Sequence, residues 1–331
     1  MRVVVDKAIP FIAGVLEQYA EVEYVAGGEI DAATVRDCDA LIVRTRTRCN
    51  ESLLAGSKVK FIATATIGTD HIDELWCAKN GITVARAAGC NARGVLQWVA
   101  AALKHICTTD NKEPSEYTLG VVGVGNVGSL VVEYARHWGF HTLMCDPPRR
   151  EREGGDFISI DEIATRCDII TLHTPLDNTT RHLVDSNLMS CMPRHSIIIN
   201  ASRGAVVDNR AVERSAHRYI FDVWEEEPNI TGDILDHATL ATPHIAGYSL
   251  QGKANASAMA IRALADHFNL PLTTWYPEGI TPTIPRHISW EELCRTIDKY
   301  CPIIEQTSLL KAQPTLFEDM RNNYHYREEY F

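Results

Sequence analysis

The chain has no Cys-x-x-Cys pair, no apolar run approaching a membrane span, and no surplus of basic residues. Each absence excludes a class of function. Crossing a bilayer as a helix takes roughly 20 apolar residues in succession, so a membrane role is not expected. Lys and Arg number 32 against 43 Asp and Glu, and the resulting net charge of −11 disfavours general binding to nucleic acid or anionic lipid. Any anionic small molecule must be captured by a local basic site. The segment Met1-Arg-Val-Val-Val-Asp6 is too short in its apolar part for a signal-peptide core. Ten scattered cysteines without such a leader point to reduced, mostly buried thiols and a cytoplasmic location. The histidines lack metal-ligand spacing, and no metal is expected.

With 331 residues, two or three domains are expected. Apolar runs predict strands over 2–5, 40–43, 60–63 and 82–85, with helices over 11–19, 52–55 and 71–79. A long Ala- and Leu-rich helix follows over 92–106, and the polar stretch 108–116 reads as a linker. A second alternating series has strands over 118–123, 142–145, 169–173, 196–200, 219–223 and 239–241. Another long helix reaches about 268, after which prolines cluster. Strand and helix in turn imply parallel α/β sheets. The expected division is 1–92, 93–256, 257–285 and 286–331.

Gly123-Val-Gly-Asn-Val-Gly128 follows a predicted strand and opens a predicted helix. Its three glycines suit a tight turn, close approach of a pyrophosphate, and close helix–strand packing. Asn126 and Val127 begin the helix, whose free N–H groups favour phosphate. Asp146 ends the next strand, where an acid accepts hydrogen bonds from ribose hydroxyls and repels a 2′-phosphate. NAD is therefore the expected cofactor.

Three later segments carry reactive groups: Asn200-Ala-Ser-Arg-Gly204, Asp222-Val-Trp-Glu-Glu-Glu-Pro228 and Thr242-Pro-His-Ile-Ala-Gly247. Arg203 can grip a carboxylate bidentately. His244 can take a hydroxyl proton, and Glu227 can orient that imidazole. This is the equipment for oxidising a 2-hydroxy acid while a nicotinamide receives hydride.

These segments resemble the D-2-hydroxyacid dehydrogenases. Further matches at Val43-Arg-Thr45, Gly68-Thr-Asp-His71, Asp146-Pro-Pro-Arg149, His173-Thr-Pro-Leu176 and His244-Ile-Ala-Gly-Tyr248 extend the resemblance over most of 1–264. It implies a Rossmann-type coenzyme domain inserted in a flavodoxin-like substrate domain, both doubly wound, plus a small C-terminal segment forming a homodimer. It implies NAD contacts at Asp146, Thr174, Ala201, Ser202, Asp222 and Gly247. Substrate contacts are implied at Thr45, Thr66 and Tyr248, with a phosphorylated 2-hydroxy acid as the narrower expectation. The rivals are another acid of the same chemical type and a non-catalytic NAD-sensing scaffold. The stretch between Arg203 and Asp222 is shorter than the family pattern and is expected to lose a helix–strand turn.

A phosphorylated acid carries two anionic groups and needs a second basic site. Arg44, Arg46 and Arg48 alternate, which in an extended chain puts them on one face. Arg44 is the expected phosphate ligand.

Overall fold

A computed structural model describes residues 1–230 and 232–331. The chain divides into two compact units, one made of 1–91 and 250–282, the other of 92–249 and 283–331.

The first unit holds five strands, β1 (Arg2–Asp6), β2 (Glu21–Val25), β3 (Ala40–Val43), β4 (Phe61–Thr64) and β5 (Thr83–Arg86), all parallel in the order β2-β1-β3-β4-β5. Continuous apolar runs build this sheet because both of its faces are covered. Val3, Val5, Ala40, Ile42 and Phe61 face a core shared with the helix Leu250–Phe268, whereas Val4, Leu41, Val43 and Ile62 face the core on the other side. Successive residues thus feed opposite layers, as the pleat requires.

The second unit holds β6 (Thr118–Val122), β7 (His141–Cys145), β8 (Ile169–Leu172), β9 (Ile197–Asn200), β10 (Arg218–Phe221) and β11 (Leu240–Ala241). They are parallel, in the order β11-β10-β9-β8-β6-β7. Order reverses beside β6, and ligands of such sheets bind at the carboxyl ends of the strands flanking that switch. The helices Ala92–Asp110 and Asn126–His137 share one core with Leu119, Val121, Ile169 and Ile199; Ile170, Leu172, Ile198 and Phe221 face the other. Both sheets are doubly wound, as expected.

The structure corrects four local expectations. Residues 11–19 form turns rather than a helix, because Phe11 (φ +64°) and Gly14 (φ +83°) occupy left-handed backbone; Ile12 and Leu16 are buried nonetheless. Glu21–Val25 is an edge strand that escaped notice, its two glutamates masking a short apolar alternation. The stretch 108–116 is not an open linker. The preceding helix runs to Asp110, whose carboxylate takes two hydrogen bonds from Arg218 and one from Tyr117. Between Arg203 and Asp222 the helix Asn209–Glu213 and strand β10 are both present, so the shortening has not removed that turn.

The last part of the chain packs on the second unit. Helix Trp290–Tyr300 contributes Leu293 and Ile297 to its core, and Phe331 is fully buried there beside Tyr134 and Trp138. All ten cysteines are free; Cys191 is exposed, Cys294 partly so, and the rest are buried. Among the described residues no helix is long and apolar enough to cross a membrane.

Candidate active site

The glycine turn joins β6 to the helix Asn126–His137. Gly123 has φ +83°, and a Cβ there would lie 2.7 Å from the His173 carbonyl. A Cβ on Gly128 would lie 2.0 Å from the Gly123 carbonyl oxygen, so helix and turn touch backbone to backbone. At Gly125 a Cβ would meet nothing within 4 Å, and no side chain caps the helix that starts at Asn126. Asn126 and Val127 therefore present helix N–H groups toward open space, a setting that suits a pyrophosphate.

Asp146 lies just past β7. Its Oδ2 accepts from the Val124 N–H at 2.8 Å and its Oδ1 from the Arg149 N–H at 2.9 Å, so it ties the glycine turn to the next helix. Each carboxylate oxygen keeps a further lone pair for a ribose hydroxyl. Arg149 is drawn to Glu153 through Nε and Nη2 and donates from Nη1 to the Val124 carbonyl at 2.7 Å. Of the two arginines just past the acid that could tolerate a 2′-phosphate, Arg149 and Arg150, that geometry occupies the first. Past β8, burial pushes the His173 imidazole down to about 3, so it is neutral. Next to it the Thr174 hydroxyl is buried with no hydrogen-bond partner, a polar atom awaiting a ligand. The open turn, the acid and the orphaned hydroxyl fit NAD.

Strands β9, β10 and β11 are neighbours, and their carboxyl ends carry Arg203, Glu227 and His244 in turn. Asn200 shapes the first loop: Oδ1 accepts from the Ser202 N–H and hydroxyl, while Nδ2 donates to the Arg203 carbonyl at 3.0 Å. Ala201 and Ser202 lie in that loop, and Arg203 Nη1 donates to the Ser202 carbonyl at 2.8 Å. Gly204 seats this loop against the next one, since a Cβ there would fall 2.0 Å from the Trp224 carbonyl oxygen. Only hydrogen fits.

Three adjacent glutamates on the second loop separate by partner. Glu225 meets His182 at 2.5 Å, whereas Glu227 takes the Trp224 N–H on Oε1 at 2.8 Å and His244 Nδ1 on Oε2 at 2.7 Å. With Nδ1 held, Nε2 is the nitrogen left to face a substrate. Burial pushes the Glu227 carboxyl up, but the hydrogen bond and charge of His244, the Trp224 N–H and Arg321 outweigh it, leaving the carboxyl below its ordinary value.

His244 sits in left-handed backbone (φ +57°) and its loop is held from two sides. The buried Asp222 carboxylate accepts from the N–H groups of Ile245 and Ala246 and from the Thr242 hydroxyl, itself fixed by Trp98 Nε1. Burial raises the Asp222 carboxyl above its ordinary value. The buried Arg327 donates to the carbonyls of Ile245, Ala246 and Gly94. Asp222, expected as a cofactor contact, is thus also the residue that fixes the base. Gly247 and Tyr248 follow in the same loop, and Tyr248 Oη accepts from Arg321 Nε at 3.2 Å.

In the first unit, Thr45 and Thr66 follow the adjacent strands β3 and β4. Thr66 Oγ1 meets Thr64 Oγ1 at 2.6 Å and donates to the Gly68 carbonyl. The chain turns at Arg44, with the Thr47 N–H bonded to the Arg44 carbonyl, so Arg44, Arg46 and Arg48 do not share one extended face. Arg44 Nη1 donates to the Ala8 carbonyl at 2.9 Å.

Asn200 stood in a motif but without a role, and Arg321 and Arg327 were not expected at the site at all. The last two belong to the C-terminal stretch, where the alternation of aromatic and charged residues from Tyr324 to Phe331 was the available signal. Among the described residues one group has metal-ligand spacing, His182, Asp208 and Glu225. His182 and Glu225 already bond each other, and Glu225 and Asp208 take the helix-start N–H groups of Asn209 and Arg210.

Residues 92–246 match the model of the D-isomer specific 2-hydroxyacid dehydrogenase NAD-binding domain. The chain is 43% identical to the erythronate-4-phosphate dehydrogenase of Bacteroides thetaiotaomicron, over 99% of this chain and 97% of the relative. It is 36% identical to the same enzyme from Photorhabdus laumondii, over 100% and 93%. Among solved structures it is similar to NAD-bound 3-phosphoglycerate dehydrogenase of Entamoeba histolytica, with TM-score 0.69 and 25% identity, over 85% of this chain and 99% of that one.

Proposed function

The chain belongs to the erythronate-4-phosphate dehydrogenase family of D-2-hydroxyacid dehydrogenases, and from that premise we propose its substrate and the duties of its residues. It is an NAD-dependent oxidoreductase. The substrate is 4-phospho-D-erythronate, oxidised at C2 to 2-oxo-3-hydroxy-4-phosphobutanoate on the route to pyridoxal 5′-phosphate. The Glu227–His244 hydrogen bond at 2.7 Å carries this reading, because it fixes a base whose remaining nitrogen can take a proton.

Arg203 holds the substrate carboxylate and polarises the C2 oxygen. His244 Nε2 takes the hydroxyl proton, and Glu227 stabilises the imidazolium that forms. NAD, when bound, accepts the hydride from C2. Gly123, Gly125, Asn126, Val127 and Gly128 cradle the pyrophosphate, Asp146 the ribose, and Thr174, Ala201, Ser202, Asp222 and Gly247 the nicotinamide end. Thr45, Thr66, Tyr248 and Arg44 serve the substrate. The test is NADH appearance, followed by absorbance, with a panel of 2-hydroxy acids. Fastest turnover of 4-phosphoerythronate is expected; preference for an unphosphorylated acid, or no turnover at all, would overturn the assignment.

The working form is a cytoplasmic homodimer. Ten free cysteines suit a reducing compartment. Ile304, Leu309 and Leu316 are exposed near one another in sequence on the C-terminal helical stretch, which supports pairing there. Light scattering of the wild type should give twice the chain mass, and of Leu309→Glu the mass of one chain.

A further inference from the structure

Glu227 and Tyr248 share a neighbour that comes from far along the chain. The C-terminal helix Phe317–Asn322 carries Arg321, whose Nε donates to Tyr248 Oη at 3.2 Å and whose charge helps hold the Glu227 carboxyl down. Its side chain is 24% exposed, and the nearest carboxylate oxygen, on Glu318, stands 3.9 Å from Nη1, beyond hydrogen-bond range. Among the described residues neither Nη atom donates a hydrogen bond, so the guanidinium is tied through Nε alone. A guanidinium drawn largely out of water beside a proton-transfer pair, with its outer edge open, is set up for an anion.

We propose that Arg321 binds the phosphate of the substrate, an assignment that rests on the phosphorylated 2-hydroxy acid reading above. A substrate with two anionic groups needs two basic partners. Arg203 serves the carboxylate, while Arg44 spends one Nη on the Ala8 carbonyl. Arg321 stands next to the substrate residue Tyr248, and its planar fork matches two phosphate oxygens. It also lies outside residues 92–246, the stretch that matches the NAD-binding domain model.

Steady-state kinetics of Arg321→Gln and Arg321→Lys on 4-phosphoerythronate and on unphosphorylated erythronate test this, with inorganic phosphate as inhibitor. Losing a charge-assisted contact in Arg321→Gln should raise KM for the phosphorylated acid about 10–100-fold and leave kcat within about threefold. KM for erythronate should not change, competitive inhibition by phosphate should vanish, and Arg321→Lys should recover part of the loss. Equal losses on both acids would overturn the proposal, as would a displaced kcat–pH profile with KM unchanged, which is the signature of a role through Glu227. Failure of both variants to bind NADH would overturn it too, by showing a structural role. A wild-type enzyme that prefers erythronate would instead sink the substrate reading, before any variant is made.

Discussion

His244 occupies backbone that side chains avoid, at a cost of about 1 kcal/mol or more, and keeps it because the loop is over-determined. Asp222 grips two of its N–H groups and Arg327 its carbonyls, so the imidazole cannot drift from Glu227. Glu227 also links function to acid stability. A carboxyl held below its ordinary value contributes stability that is present above about 4.3, its unfolded-state value, and is lost as pH falls through the lower folded value. Melting curves of the wild type should therefore lose Tm as the solution passes from about pH 5 toward 3. In Glu227→Gln this acid-side slope should flatten, and kcat at neutral pH should fall by about 100-fold or more. An unchanged slope would separate Glu227 from the tie to His244. The three reactive residues were legible because an arginine, a carboxylate and an imidazole fall just after successive apolar strand runs. What was not legible is the packing of Gly204 on the Trp224 peptide, a contact between segments that no local pattern records.

At the scale of elements, the glycine turn separates two kinds of glycine. Gly128 is demanded by the fold, since its Cβ would collide with the Gly123 carbonyl, whereas Gly125 borders empty space. Gly128→Ala should lower Tm markedly and abolish NADH binding. Gly125→Ala should fold with Tm nearly unchanged, yet weaken NADH binding about tenfold or more, because the methyl group fills the room a pyrophosphate needs. Equal Tm losses in calorimetry would refute the distinction. Strands buried on both faces were readable as solid apolar runs, for instance Ala40–Val43. The edge strand Glu21–Val25 was not, because half of its surface is wet and glutamate is tolerated there. Residues 11–19 misled for the opposite reason: Ile12 and Leu16 have helical spacing and are buried, but Gly14 sets the backbone.

For the whole molecule, the catalytic loop depends on the far end of the chain. Arg327 is buried, and its guanidinium is shared among Gly94, Ile245 and Ala246. Nearby, Glu329 takes the hydroxyls of Ser249 and Thr283. Arg327→Met would strand these carbonyls without donors and should cost about 1–3 kcal/mol or more, read as a fall in Tm, with a drop in kcat larger than any change in NADH affinity. Full activity in that variant would show the loop to be self-supporting. The distribution of thiols has a practical corollary. Burial pushes Cys49, Cys107 and Cys167 up to about 12, so these sulfurs stay protonated and shielded, whereas Cys191 ends the helix Ser186–Cys191 in solvent. A maleimide dye should accordingly load mainly one fluorophore per native chain at that helix end, giving an optical reporter on the natural sequence with no residue replaced.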